Sequence, residues 1–79
     1  MVREAWTVAV GNINPFKKGC RKAVEFIKTL DGLLAVYPDY PRGTLLLFES
    51  ENAAKIARNM LKAKGIQTGH NICKCEIDI

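Results

Sequence analysis

The sequence predicts one α+β domain whose six short elements follow in the order strand, helix, strand, strand, helix, strand. Two segments repeat apolar residues at helical spacing, and four others have the length and apolar content of strands. The chain has 79 residues, and a chain of this size buries only about 60% of the surface that it exposes when unfolded. We therefore expect a single domain over residues 1–79 with one compact core.

Composition excludes several classes of protein. Hydrophobic residues make up 48% and charged residues 25% of the chain, as in ordinary folded proteins. The apolar run at 5–10 is too short for a signal peptide or a membrane span. Three cysteines, an odd number, do not indicate a disulfide framework. We expect a cytoplasmic protein with reduced thiols and no membrane association.

The first half of the chain predicts a strand and a helix. Trp6, Val8 and Val10 alternate with Thr7 and Ala9, so the larger set should face the core. A helix is predicted over residues 16–30 and ends at a glycine that follows an aspartate. Its apolar face consists of Cys20, Ala23, Ile27 and Leu30.

The second half predicts a hairpin, a helix and a final strand. Strands at 33–37 and 44–48 flank a loop with two prolines, and so short a loop can only form a hairpin. Ser50 suits the N-cap of a helix that runs to about residue 64 and stops at Gly65. Residues 72–79 alternate, which predicts a strand with Cys73, Cys75, Ile77 and Ile79 on the core face.

Two βαβ halves with right-handed crossovers give a four-stranded antiparallel sheet with both helices on one face, the ferredoxin-like arrangement. The first and third strands are then central, and one sheet face stays open. The residues expected in the core are Val8, Val10, Ile27, Leu46, Phe48, Ile56, Met60, Cys75 and Ile77.

VAVGNI at 8–13 and RGTLLLFES at 42–50, together with the element order, resemble the RNA recognition motif family. The resemblance implies a sheet face on which RNA bases stack against aromatic side chains. In this sequence Ala9 occupies the first of these aromatic positions, and Leu45 and Leu47 lie near the others, so no aromatic ring is available for stacking. Glu76 and Asp78, predicted on the same face, would repel phosphates. We therefore do not expect RNA binding across the sheet.

Two functions remain open. A face made of Thr7, Ala9, Leu45 and Leu47 suits packing against another protein or a second copy, although scattered exposed leucines often have no function. A net charge of +4 also allows nucleic-acid binding by the helices, although outward helical charge is usually only solvated. The residues concerned are Lys17, Lys18, Arg21, Lys22, Lys55, Arg58 and Lys62.

No residue pattern indicates catalysis, a cofactor or a small-molecule substrate. Cys20, Cys73 and Cys75 lack the spacing of zinc sites, and they are expected to be slow-reacting core residues without a metal. The single histidine, His70, lies in a glycine-containing loop, where a solvated side chain is expected. We interpret the chain as a non-enzymatic protein.

Overall fold

The structure, a computed structural model, describes residues 1–11, 19, 21–39, 43–69 and 71–78, without the side chains of residues 38 and 39. The elements are β1 (Val2–Val10), α1 (Arg21–Lys28), β2 (Leu33–Asp39), β3 (Gly43–Phe48), α2 (Glu51–Ala63) and β4 (Cys73–Asp78). The strands form one antiparallel sheet in the order β2-β3-β1-β4. The predicted α+β class, element order and central position of the first and third strands are confirmed.

Both helices pack against the same face of the sheet, and the core lies between these two layers. The sheet contributes Val8 and Val10 from β1 and Leu46 and Phe48 from β3, each at most 1% exposed. The helices and the turn after α1 contribute Ile27, Leu30, Ala54, Ala57 and Leu61. The sequence predicts both sets of sheet residues, but only β1 shows the reason in its pattern, because its larger side chains occupy alternate positions. This architecture is compatible with a ferredoxin-like arrangement.

A capping hydrogen bond and two glycines with positive φ mark the ends of several helices and strands. The Ser50 hydroxyl accepts a hydrogen bond of 3.0 Å from the Ala53 amide, which confirms Ser50 as the N-cap of α2. Gly65 follows the C-cap of this helix with a φ of 78°. At the start of β3, Gly43 has a φ of 120°, and a Cβ there would collide with the Val10 carbonyl oxygen. Only glycine fits this close approach of two strands.

The contact face of α2 differs from the prediction. Ile56 and Met60, both expected in the core, are 52% and 44% exposed. Ala54 and Ala57 lie against the sheet instead, together with Leu61. The apolar stripe of α2 consists of Ala53, Ile56, Ala57, Met60 and Leu61. Small side chains let a helix approach a sheet closely, so the larger Ile56 and Met60 remain at the margin of the contact. The hydrophobic pattern identified the helix correctly but misjudged its rotation.

The described part of α1 begins at Arg21, whereas the sequence predicts a helix from residue 16. Residues 12–18 and Cys20 lie outside the described residues, so the predicted start and the first apolar position are outside them too. The predicted end is close to the observed one. Amides of Thr29 and Leu30 donate to the carbonyls of Phe26 and Ile27, which forms a tight final turn.

Candidate functional site: the open face of the sheet

The face of the sheet opposite the two helices carries mainly small and apolar side chains, and we call it the open face. Because paired residues of neighbouring strands point to the same side, the strand register defines rows across it. The rows are Tyr37, Leu45 and Ala9; Ala35, Leu47, Thr7 and Cys73; Ala5 and Cys75; and Arg3 and Ile77. Arg3, in the last row, is the one charged residue among the described side chains of this face.

The structure brings the four residues predicted for this face together. Thr7 lies opposite Leu47, and Ala9 lies opposite Leu45, on the two central strands. The Thr7 hydroxyl donates to the Cys73 carbonyl at 3.1 Å, so its polar atom is satisfied within the sheet. The centre of the open face therefore presents methyl and methylene groups.

The residues of the open face differ in exposure: some are buried, and others are accessible to solvent. Leu47 is 2% exposed and Ala5 is fully buried, although no described helix covers them. Ala9 is exposed, Leu45 is half-buried and the Tyr37 side chain is 53% exposed. A partner on this face would contact Ala9, Leu45 and Tyr37 rather than Leu47.

The side of β4 that faces the helices is the opposite of the predicted side. Cys75 pairs with Ala5 and Ile77 pairs with Arg3, so both belong to the open face, as does Cys73. The predicted core positions of Cys75 and Ile77 are therefore wrong: both are half-buried, and Cys73 is exposed.

The acidic residues of β4 lie on the helix side of the sheet, not on the open face as predicted. β4 is an edge strand, and the core cluster under the helices contains none of its residues. Charged side chains can therefore remain in water on that side, which the alternation alone could not reveal. Glu76 and Asp78 consequently bring no negative charge to the open face, and the repulsion expected there does not apply.

Lys74 connects the polar side of β4 to β1. Its Nζ lies 2.8 Å from Glu4 Oε1 and 5.9 Å from the centre of the Trp6 ring. The hydrogen bond from Lys74 to Glu4 and the charge of that carboxylate raise the pKa of Lys74 above its ordinary value. This contribution to stability is present below the unfolded-state pKa and is lost as the pH rises through the folded-state value. Both side chains are more than half exposed, so the ion pair is weak.

The predicted polyanion-binding residues occupy separate positions on the helices. Arg21 and Lys22 are exposed on α1, Lys55 and Lys62 are exposed on α2, and Arg58 is half-buried. Arg21 Nε lies 3.7 Å from Glu25 Oε1, and Lys55 Nζ lies 3.1 Å from Glu51 Oε1. These carboxylates offset part of the positive charge. Lys17 and Lys18 lie outside the described residues.

The thiols do not form a recognisable metal centre in the part of the chain that the structure describes. Cys73 and Cys75 are both free, and no group of three or more His, Cys, Asp or Glu residues is placed to hold a metal ion there. Residues two apart on a strand are separated by about 7 Å, which is too far for a disulfide without distortion. Cys20 and His70 lie outside the described residues.

Sequence reasoning missed several members of the open face, of which Tyr37 and Cys73 are the most exposed. Tyr37 belongs to an apolar run at 33–37 that gives no indication of its face, and only its pairing with Leu45 shows it. Cys73 shares its row with Thr7, a relation that depends on the register between β1 and β4. The alternation in β4 was the one sequence signal for the position of Cys73, and it allows Cys73 to lie on either face of the sheet.

The chain was compared with family models, with curated proteins and with solved structures, and none of these comparisons gave a match. The likeness to RNA recognition motifs therefore has no support beyond the sequence pattern. Among the described residues, no helix has the length and apolar character needed to cross a bilayer.

Proposed function

We propose that the protein is a small non-enzymatic interaction module of ferredoxin-like fold that binds another protein chain through its open face, and that a second copy is the partner. One observation carries the proposal: the described side chains of this face include exposed apolar groups and no carboxylate. Removing such groups from water is favourable by about 25 cal/mol per Å² of apolar surface. The two free thiols of β4 suit the reducing conditions of the cytoplasm, where we place the protein.

Charge favours a second copy over a strongly charged partner. The chain carries a net charge of +4, yet among the described side chains the open face contributes Arg3 alone, at one end of the sheet. Two open faces can meet with their apolar rows in contact and with the remaining positive charges directed away. Long-range repulsion between two cationic copies then opposes association weakly, and added salt reduces it.

The size of the open face indicates a weak complex. The four strands lie about 4.8 Å apart, and about five residues of each strand, with a rise of about 3.4 Å per residue, contribute to the face. Its width and length therefore give an area of roughly 300 Å². Stable interfaces bury about 800 Å² on each partner. We therefore expect association that depends on protein concentration rather than a permanent dimer.

Substitution of Ala9 by glutamate tests the proposal. Ala9 is exposed in the row of the open face that also holds Leu45 and Tyr37, so the new carboxylate costs the fold little but would be buried unpaired in a complex. Ala63→Glu is the matched control, because it makes the same chemical change at an exposed position on α2. Sedimentation equilibrium should show association of the wild type and of Ala63→Glu, and weakening by about tenfold or more in Ala9→Glu. Equal association of all three proteins would refute the use of this face.

Nucleic-acid binding by the helices is the competing proposal, and its support is weaker. Arg21, Lys22, Lys55 and Lys62 are exposed, but two of them already pair with carboxylates of their own helix. Binding to a phosphate backbone would weaken steeply with added salt because counterions are released on binding. Tight, salt-sensitive binding to random oligonucleotides that Ala9→Glu leaves unchanged would favour this alternative.

A further inference from the structure

The helix layer carries an apolar surface that the core does not use. On α2, Ile56 is 52% exposed and Met60 is 44% exposed, whereas Ala57, between them in the chain, is 2% exposed. The apolar stripe of this helix is therefore wider than its contact with the sheet. Exposed large apolar residues that are adjacent on one helix face often indicate a binding surface.

These two residues line a groove between α2 and the turn that follows α1. The groove has a volume of about 300 Å³, and its walls include Leu30, Gly32, Ala53 and Ala57. Gly32 has a φ of 79°, and a Cβ there would lie 2.9 Å from the Ala53 Cβ. Glycine at this position therefore lets the turn pack closely against α2 along one wall of the groove. The volume is enough for a large apolar side chain and the chain segment beside it.

The charge of the groove is opposite to that of the protein. In the described part of the chain, its charged lining residues are Asp31 and Glu49, both acidic, although the chain as a whole carries +4. Among the residues that the structure describes, neither carboxylate has an ion-pair partner. Four other carboxylates, those of Glu4, Glu25, Glu51 and Asp78, each have one. The described residues of the groove therefore present exposed, unpaired negative charge on a cationic protein.

We propose that this groove binds a cationic amphipathic segment of a partner protein. An apolar side chain of that segment packs against Ile56 and Met60, and a neighbouring Lys or Arg reaches Glu49 or Asp31. Methionine adapts readily to different apolar shapes, which suits such a groove. The site lies on the helix side of the sheet, so it is independent of the open face and of the association proposed there.

Two short peptides distinguish this site from attraction by net charge. The probes are Lys-Leu-Leu-Lys and Glu-Leu-Leu-Glu, both acetylated and amidated, added to the ¹⁵N-labelled full chain and followed by NMR. A protein of charge +4 attracts the acidic peptide in general, whereas the groove selects the cationic one. We expect saturable shifts at Gly32, Ala53 and Ile56 with the cationic peptide only. Equal binding of both peptides, or no shift at these residues up to the solubility limit, would overturn the proposal.

Charge reversal at the groove provides the matched control. Glu49→Lys and Glu76→Lys change the net charge equally, but Glu76 lies on β4 and does not line the groove. Glu49→Lys should weaken binding of the cationic peptide by about tenfold because it replaces an attraction with a repulsion. Glu76→Lys should leave the affinity close to that of the wild type. The same loss in both variants would show that net charge alone is responsible and would exclude the site.

Discussion

At the scale of single residues, burial in the monomer separates side chains that stabilise the fold from those available to a partner. Phe48 is fully buried in the core, and Leu46, also fully buried, lies two residues before it on the same face of β3. Tyr37 and Met60 are large as well, but about half of each side chain is exposed. Residue type does not distinguish these two roles, because the position of each side chain relative to the two helices decides it.

Truncation of Phe48 and of Met60 should therefore have very different effects on stability. Phe48→Ala should lower the free energy of unfolding by about 3 to 5 kcal/mol, because it leaves a cavity in the core. Met60→Ala should cost less than about 1 kcal/mol, because much of the side chain is already in water and alanine favours the helix. Urea unfolding followed by circular dichroism measures both. Comparable losses would mean that α2 is rotated as the sequence pattern suggests.

At the scale of elements, the thiols of β4 report which way this strand faces. Cys73 is exposed and Cys75 is half-buried on the open face. In dilute native protein, Cys73 should react with a thiol reagent several-fold faster than Cys75, because the reagent must reach the sulfur. Peptide mapping by mass spectrometry identifies the labelled cysteine, and unfolded protein provides the control. Equally slow reaction at both would indicate that β4 directs its cysteines into the core.

The helices and strands also show which features of the fold can be predicted from the sequence alone. Alternation and capping predicted the existence, order and type of all six elements, and Ser50 marked the start of α2 correctly. The faces of β4 and α2 were wrong for a shared reason. Alternation in β4 fits either face until its pairing with β1 is known, and the stripe on α2 is wide enough for more than one rotation. Thr7, Ala9, Leu45 and Leu47 were grouped correctly because the central strands carry the core on their other side.

At the scale of the whole molecule, two layers leave two different surfaces free. Among the described side chains, the sheet layer presents an apolar face with Arg3 as its one charge, and the helix layer presents a groove whose two charged residues are acidic. Positive charge is spread over the outer surfaces of the helices, partly offset by the pairs with Glu25 and Glu51. This distribution favours contact between apolar faces over general attraction to polyanions.

The dependence of association on salt tests the central claim most directly. Sedimentation velocity of the wild type would be measured over a wide range of concentration, at low and at high ionic strength. Apolar contact between two cationic copies predicts that the average mass rises from one copy towards two with concentration, and that added salt preserves or strengthens this rise. A protein that remains monomeric at every concentration and at both salt levels would contradict the account.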